Sequence, residues 1–190
     1  LLRGEFHFRP GGAVAEVAEW PGRGADIERM VLVDRTGELT RILAALPVDP
    51  PVPSDEDARA TVCGRFANWW VLGWNVLARG EIERAYDTLS HVRRHLLWMA
   101  RLRHGATARW LTPSRLAEQD LPAEDLQSLA EVSARLDPAD LRLAFGAAWL
   151  LGRRWWADLV DVPPRDLVAE IDAAIGDGGA EPSPPVDKTH

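Results

Sequence analysis

Between Val62 and Met99 the apolar residues recur every three or four positions, with one glycine break. Val62, Phe66, Trp69, Trp70, Gly73, Trp74 and Leu77 form a first stripe, and Gly80 ends it. Ile82, Ala85, Leu89, Val92, Leu96 and Met99 form a second, and Gly105 stops that one. Residues three and four apart share one face of an α-helix, so the spacing predicts two long helices, each with an apolar face that seeks a partner. Glu81 and Glu83 suit the positive start of the second. Further on, Thr112-Pro113 and Asp137-Pro138 each set a capping residue before a first-turn proline. They predict a short helix near 113–119 and a long one near 138–160, with another near 122–135 between them. Pro163-Pro164 opens a last helix that stops at Gly176. Ser54, with Asp57, resembles a capping box at the start of the series. Residues 54–175 are therefore expected to form an antiparallel helical bundle. Residues 176–190, rich in Gly, Pro and charge, are expected to be a disordered tail.

The chain ahead of this reads differently. Pro47 to Pro53 holds four prolines in seven residues. Proline fixes φ and lacks an N–H, so 48–53 reads as a stiff, extended linker. Near the start, Leu2, Phe6 and Phe8 alternate with Arg3, Glu5, His7 and Arg9, the pattern of a half-buried strand. Residues 13–20 fit a short strand or a helix. Met30-Val31-Leu32-Val33-Asp34 is an apolar run of buried-strand length, and Arg35-Thr36-Gly37 is a turn after it. Glu38 to Leu46 reads as a short helix with Leu39, Ile42, Leu43 and Leu46 on one face. The expected fold class is α+β: a partial α/β sheet unit over 1–47, the linker, and a mostly α bundle.

The bulk properties remove several function classes. A net charge of -7 makes a nucleic-acid backbone an unlikely general partner. No apolar run reaches the ~20 residues that span a bilayer. The single cysteine, Cys63, excludes an internal disulfide and fits a cytoplasmic protein; its apolar helical neighbours point to a buried, inert thiol. Nine tryptophans are the unusual count. Each carries a large apolar surface and an N–H that wants a partner, which suits a thick helical core, an aromatic pocket or a dimer interface.

Glu5 and His7 point the same way from the first strand, about 7 Å apart, a separation that suits proton-transfer or metal chemistry. Arg84 and His91 match the Arg-x(4–6)-His spacing of HEPN ribonucleases, but Ala85 stands where a polar residue is expected. His91 and His95 are four apart on one helix, the spacing of a two-His metal site, without a third ligand. A solvated helix face beside Arg93 and Arg94 is the plainer reading. Arg79 and Arg101 could reach phosphates, yet arginine near a helix end needs no ligand to explain it.

Four segments, in order, resemble the lincosamide nucleotidyltransferases. They are Arg3 to Phe8, Leu32 to Thr40, Asn68 to Glu81 and Leu96 to Leu102. The resemblance implies a polymerase-β-like nucleotidyltransferase domain followed by a helical bundle. It implies transfer of an AMP-type nucleotidyl group from a nucleoside triphosphate to a hydroxyl of a lincosamide, with Mg²⁺, in a homodimer. The family's Gly-Ser turn and paired carboxylates find no counterpart here, so that part is expected ahead of Leu1 and the chain alone is expected to be inactive. Glu5 matches the family's third carboxylate, and a general base, a metal ligand and a plain surface acid all remain open for it. His7, Trp70, Trp98 and Arg101 are the substrate-binding candidates, with the tryptophans as an aromatic wall for the drug's propyl-proline half. An aminoglycoside-type nucleotidyltransferase, which an acidic pocket would favour, is the alternative within the fold. A non-catalytic helical module, such as a toxin–antitoxin partner, is the alternative outside it.

Overall fold

The computed structural model describes residues 10–49, 51–52, 56–160 and 164–177. The chain divides into two units, Leu1–Val52 and Pro53–His190. Among the described residues there are helices and no strand. The expected α/β sheet is thereby overturned. The segment Arg3 to Phe8, which carries Glu5 and His7, lies outside the described residues.

The Met30–Asp34 run shows why the strand expectation fails. Met30 closes a four-residue helix, α1 (Ile27–Met30). Leu32 and Val33 are 93% and 73% exposed, so no second layer covers them. Asp34 serves a different element. Its Oδ1 accepts from the backbone N–H of Gly37, and its Oδ2 accepts from both the N–H and hydroxyl of Thr40, each at 2.8 Å. These bonds satisfy donors in the first turn of α2 (Glu38–Ala45) and hold the Asp34 carboxyl below its ordinary range. A short apolar run is ambiguous by period alone, and the capping aspartate decides it. The α2 helix buries Ile42 and Leu43, two of the four residues placed on its face. Ahead of α1, Gly11–Glu19 winds as a 3₁₀ helix. The proline segment is tied down at its start, where the carbonyls of Pro47 and Val48 accept from the N–H groups of Arg23 and Gly24.

The second unit is built on three long helices that pack on one another: α3 (Glu56–Ala78), α4 (Ile82–His104) and α7 (Pro138–Leu159). Two short helices, α5 (Ala117–Asp120) and α6 (Ala123–Ala130), lie between α4 and α7, and α8 (Arg165–Asp177) follows. Gly105, at φ +64°, closes α4 in the left-handed conformation that glycine adopts freely. Asp137 caps α7 through Oδ1, which accepts from Ala139 and Asp140 N–H, with Pro138 in the first turn. Thr112-Pro113 starts no helix. Pro113 sits in a turn, and α5 begins only after Leu116, which is left-handed at φ +52°.

The core is aromatic. Trp70, 1% exposed, packs edge-on to Phe145 and against Trp149, and donates its indole N–H to the Phe145 carbonyl at 2.7 Å. Trp149 donates to Asp172 of α8 at 2.7 Å. Two glycines admit the rings. At Gly73 the Phe145 ring occupies the place of a side chain, and at Gly152 the Phe66 ring does.

Candidate functional site

The loop between α4 and α5 has no regular helix, so its carbonyls must find donors elsewhere. Nearby backbone N–H groups serve Thr107, Arg109, Thr112 and Ser114, and one side chain serves three more. Arg101, fully buried, donates Nε to the Pro113 carbonyl, Nη1 to the Ala106 carbonyl and Nη2 to the Arg115 carbonyl, each at 2.8 Å. Its Nη1 also meets Asp120 Oδ2 at 2.9 Å. Arg109 shares that carboxylate from the other side. The hydrogen bond from Arg101, then the two positive charges, hold Asp120 ionised below its ordinary range. With the Pro113 and Arg115 carbonyls taken this way, the helix expected from Pro113 does not form over 113–116, and α5 starts at Ala117.

The loop so held carries Trp110 against Trp98. The Trp98 indole donates to the Trp110 carbonyl at 2.8 Å, and the two rings lie 5.9 Å apart. Together they wall a cavity of about 300 Å³. Ala58, Thr61, Val62 and Arg65 of α3 and His95 of α4 also line it. No carboxylate is among the described lining residues.

His95 is a polar feature of the cavity, beside Thr61 and Arg65. It is 6% exposed and meets Trp98 edge to face at 4.9 Å. Its Nδ1 lies 2.8 Å from the His91 carbonyl. A carbonyl only accepts, so Nδ1 carries the proton and Nε2 holds a lone pair when the ring is neutral. Burial lowers the pKa of His95; the bond to His91 opposes this, and Arg65, His91 and Arg94 add to the lowering. The ring is therefore neutral at pH 7. The solvated face expected for His95 is thus corrected: it is buried, while His91 stacks on Trp69 at 4.2 Å.

The residues named from sequence fall in different places. Trp98 walls the cavity. Arg101 faces the same loop, with its guanidinium committed to loop carbonyls and Asp120. Trp70 lies in the core with its N–H committed to α7. Glu5 and His7 lie outside the described residues. Arg84 pairs with Glu81 at 3.1 Å, as does Arg79 at 2.7 Å. Sequence reading missed Trp110, His95 and Arg65 as cavity residues. One signal was available: His95 and Trp98 are three apart and so share a helix face. A second, polar recess of about 230 Å³ involves Arg103, Asp125 and Arg154. There Asp125 accepts from Arg103 at 2.9 Å and His104 at 2.6 Å, which fastens α4 to α6. Among the described residues no three His, Cys, Asp or Glu side chains converge as a metal site would require. No described helix is long and apolar enough to cross a membrane.

The match to known families covers this same unit. The family model described as lincosamide nucleotidyltransferase-like, C-terminal domain, matches residues 55–172, from α3 into α8 and more than half of the chain. No curated protein matches the chain. The segments compared from sequence, Asn68 to Glu81 and Leu96 to Leu102, lie inside the matched span. The chain belongs to the lincosamide nucleotidyltransferase-like C-terminal domain family.

Proposed function

We propose that this chain supplies the helical domain of an enzyme that transfers a nucleotidyl group to a lincosamide hydroxyl, and that the cavity beside Trp98 and Trp110 seats the drug's apolar half. The cavity itself carries the reading. Trp98, Trp110, Val62 and Ala58 give it aromatic and aliphatic walls, and among the described lining residues the charged one, Arg65, is positive. An apolar propyl-proline group gains from leaving water for such walls, about 25 cal/mol for each Å² buried. Among the described lining residues a polycationic aminoglycoside would meet a like charge and no carboxylate, so the observation favours the lincosamide over that alternative.

In the reaction the drug hydroxyl attacks the α-phosphorus, its proton passes to a base, and pyrophosphate leaves. The part played by the described residues is to hold and orient the drug. They bring together no metal-ligating group, so no step through Mg²⁺ or the triphosphate is assigned to them. Glu5 remains the proposed base, on family resemblance. The homodimer remains a proposal on the same ground.

A fluorescence titration tests the reading. Lincomycin should quench the tryptophan emission saturably, and Trp98→Leu should weaken its affinity about tenfold or more, the usual loss for an aromatic anchor. Kanamycin should produce no saturable change. Tighter binding by kanamycin, or lincomycin binding indifferent to Trp98→Leu, would count against it.

A further inference from the structure

The cavity presents one ring nitrogen whose lone pair no described side chain engages. His95 is 6% exposed and its Nδ1 proton is committed to the His91 carbonyl. No described residue donates to Nε2, although the ring lines the cavity. A ligand that fills the cavity covers this acceptor: one that brings a donor pairs it, and one without leaves it buried and unpaired at a cost. Of the rest of the described wall, Trp98, Trp110, Val62 and Ala58 take any apolar group of suitable size, the Arg65 guanidinium only donates, and the Thr61 hydroxyl already donates to the Asp57 carbonyl at 2.9 Å. From this geometry we infer that His95 Nε2 is the specificity-determining acceptor of the cavity, which selects apolar ligands bearing one hydroxyl or N–H donor over isosteres that lack it. This rests on the proposed ligand-binding role of the cavity, and it names the chemistry that role requires.

The electrostatics agree. Arg65 lines the same cavity, His91 lies one turn before His95 on α4, and Arg94 adjoins it, all cationic or able to become so. Each opposes protonation of His95. Acidification would turn the acceptor into a donor and add a second positive charge beside Arg65, so the selection should be a property of the neutral ring alone.

A matched pair of small probes separates this from simple apolar binding. Indole carries one N–H donor on an apolar bicycle; benzofuran has the same shape without the donor. Calorimetric titration of the 190-residue chain at pH 7.5 should show indole binding on the order of three- to tenfold tighter than benzofuran, the usual yield of one neutral hydrogen bond. In His95→Phe, which keeps a ring against Trp98, the two should bind alike. A variant-free arm uses the native chain. Its preference for indole should fade as the pH falls below the ordinary histidine range. Equal binding of both probes to the native chain, no saturable indole binding, or a preference that survives His95→Phe or acid would overturn the inference. Lincomycin distinguishes the two claims. Lincomycin binding without an indole preference defeats the role of His95 and leaves the proposed function standing. An indole preference without lincomycin binding does the reverse.

Discussion

At the scale of single residues, glycine shows how one substitution can carry opposite signs. Gly146 lies in α7 with open space where a side chain would stand. Alanine there should stabilise the chain by roughly 0.5–1 kcal/mol through helix propensity, raising the melting temperature a few degrees. Gly152, six residues on in the same helix, abuts the fully buried Phe66 ring. That ring is enclosed in the core, parallel to Trp149 at 6.2 Å, and has little room to give way. Gly152→Ala should destabilise by about 1–3 kcal/mol. Thermal melts of both variants check the pair, and a shared sign would mean the Phe66 packing is wrong. Cys63 is another case. Burial pushes its thiol up to about 12. At pH 8 the native chain should resist a thiol reagent that labels it completely once denatured. None of these glycine distinctions could be read from the chain itself, because a mid-helix glycine looks the same beside an aromatic ring or open space.

At the scale of elements, the long helices were legible and the connections were not. The stripes from Val62 to Leu77 and from Ile82 to Met99 end at glycines, and Asp137-Pro138 caps α7 as its chemistry demands. Local signals sufficed there because side-chain period and cap agree. The Met30–Asp34 strand and the Pro113 helix failed for one reason. In each, a long-range or next-element polar bond outcompeted local propensity: Asp34 reaching Thr40 in the first case, Arg101 taking the Pro113 and Arg115 carbonyls in the second. Arg101 therefore invites a test of the loop. Arg101→Met removes four hydrogen bonds and leaves three loop carbonyls without that donor, a loss of about 3–5 kcal/mol for a buried charge partner. Hydrogen exchange should accelerate most at residues 106–116, with the amides of α3 and α7 less affected. Uniform acceleration through the bundle would show that Arg101 is not specific to the loop.

At the scale of the whole molecule, acid stability follows from two sets of groups. His95 is held neutral, with its folded pKa lowered, so its contribution is full above the ordinary histidine range and is lost as pH falls through the lowered value. Asp120, held down first by the Arg101 hydrogen bond, and Asp140, held down first by Arg135, contribute above the carboxylate range. Their share is lost as pH falls below it. The melting temperature should be level between pH 7 and 8, decline below about pH 6.5, and fall more steeply below about pH 4. In His95→Phe the first decline should vanish and the second remain. The site itself was half visible at this scale. Trp98 was named through the family resemblance over Leu96 to Leu102, while Trp110 and Arg65 join it only through packing that brings the loop and α3 together.

The central claim is that the wall between α3, α4 and the following loop receives the apolar half of a lincosamide. Backbone and indole resonances observed during a lincomycin titration test it most directly. The account predicts saturable shifts concentrated at Thr61, Val62, His95, Trp98 and Trp110, with the distant recess at Arg103 and Asp125 silent. Shifts centred on that recess, or none at saturating drug, would contradict it.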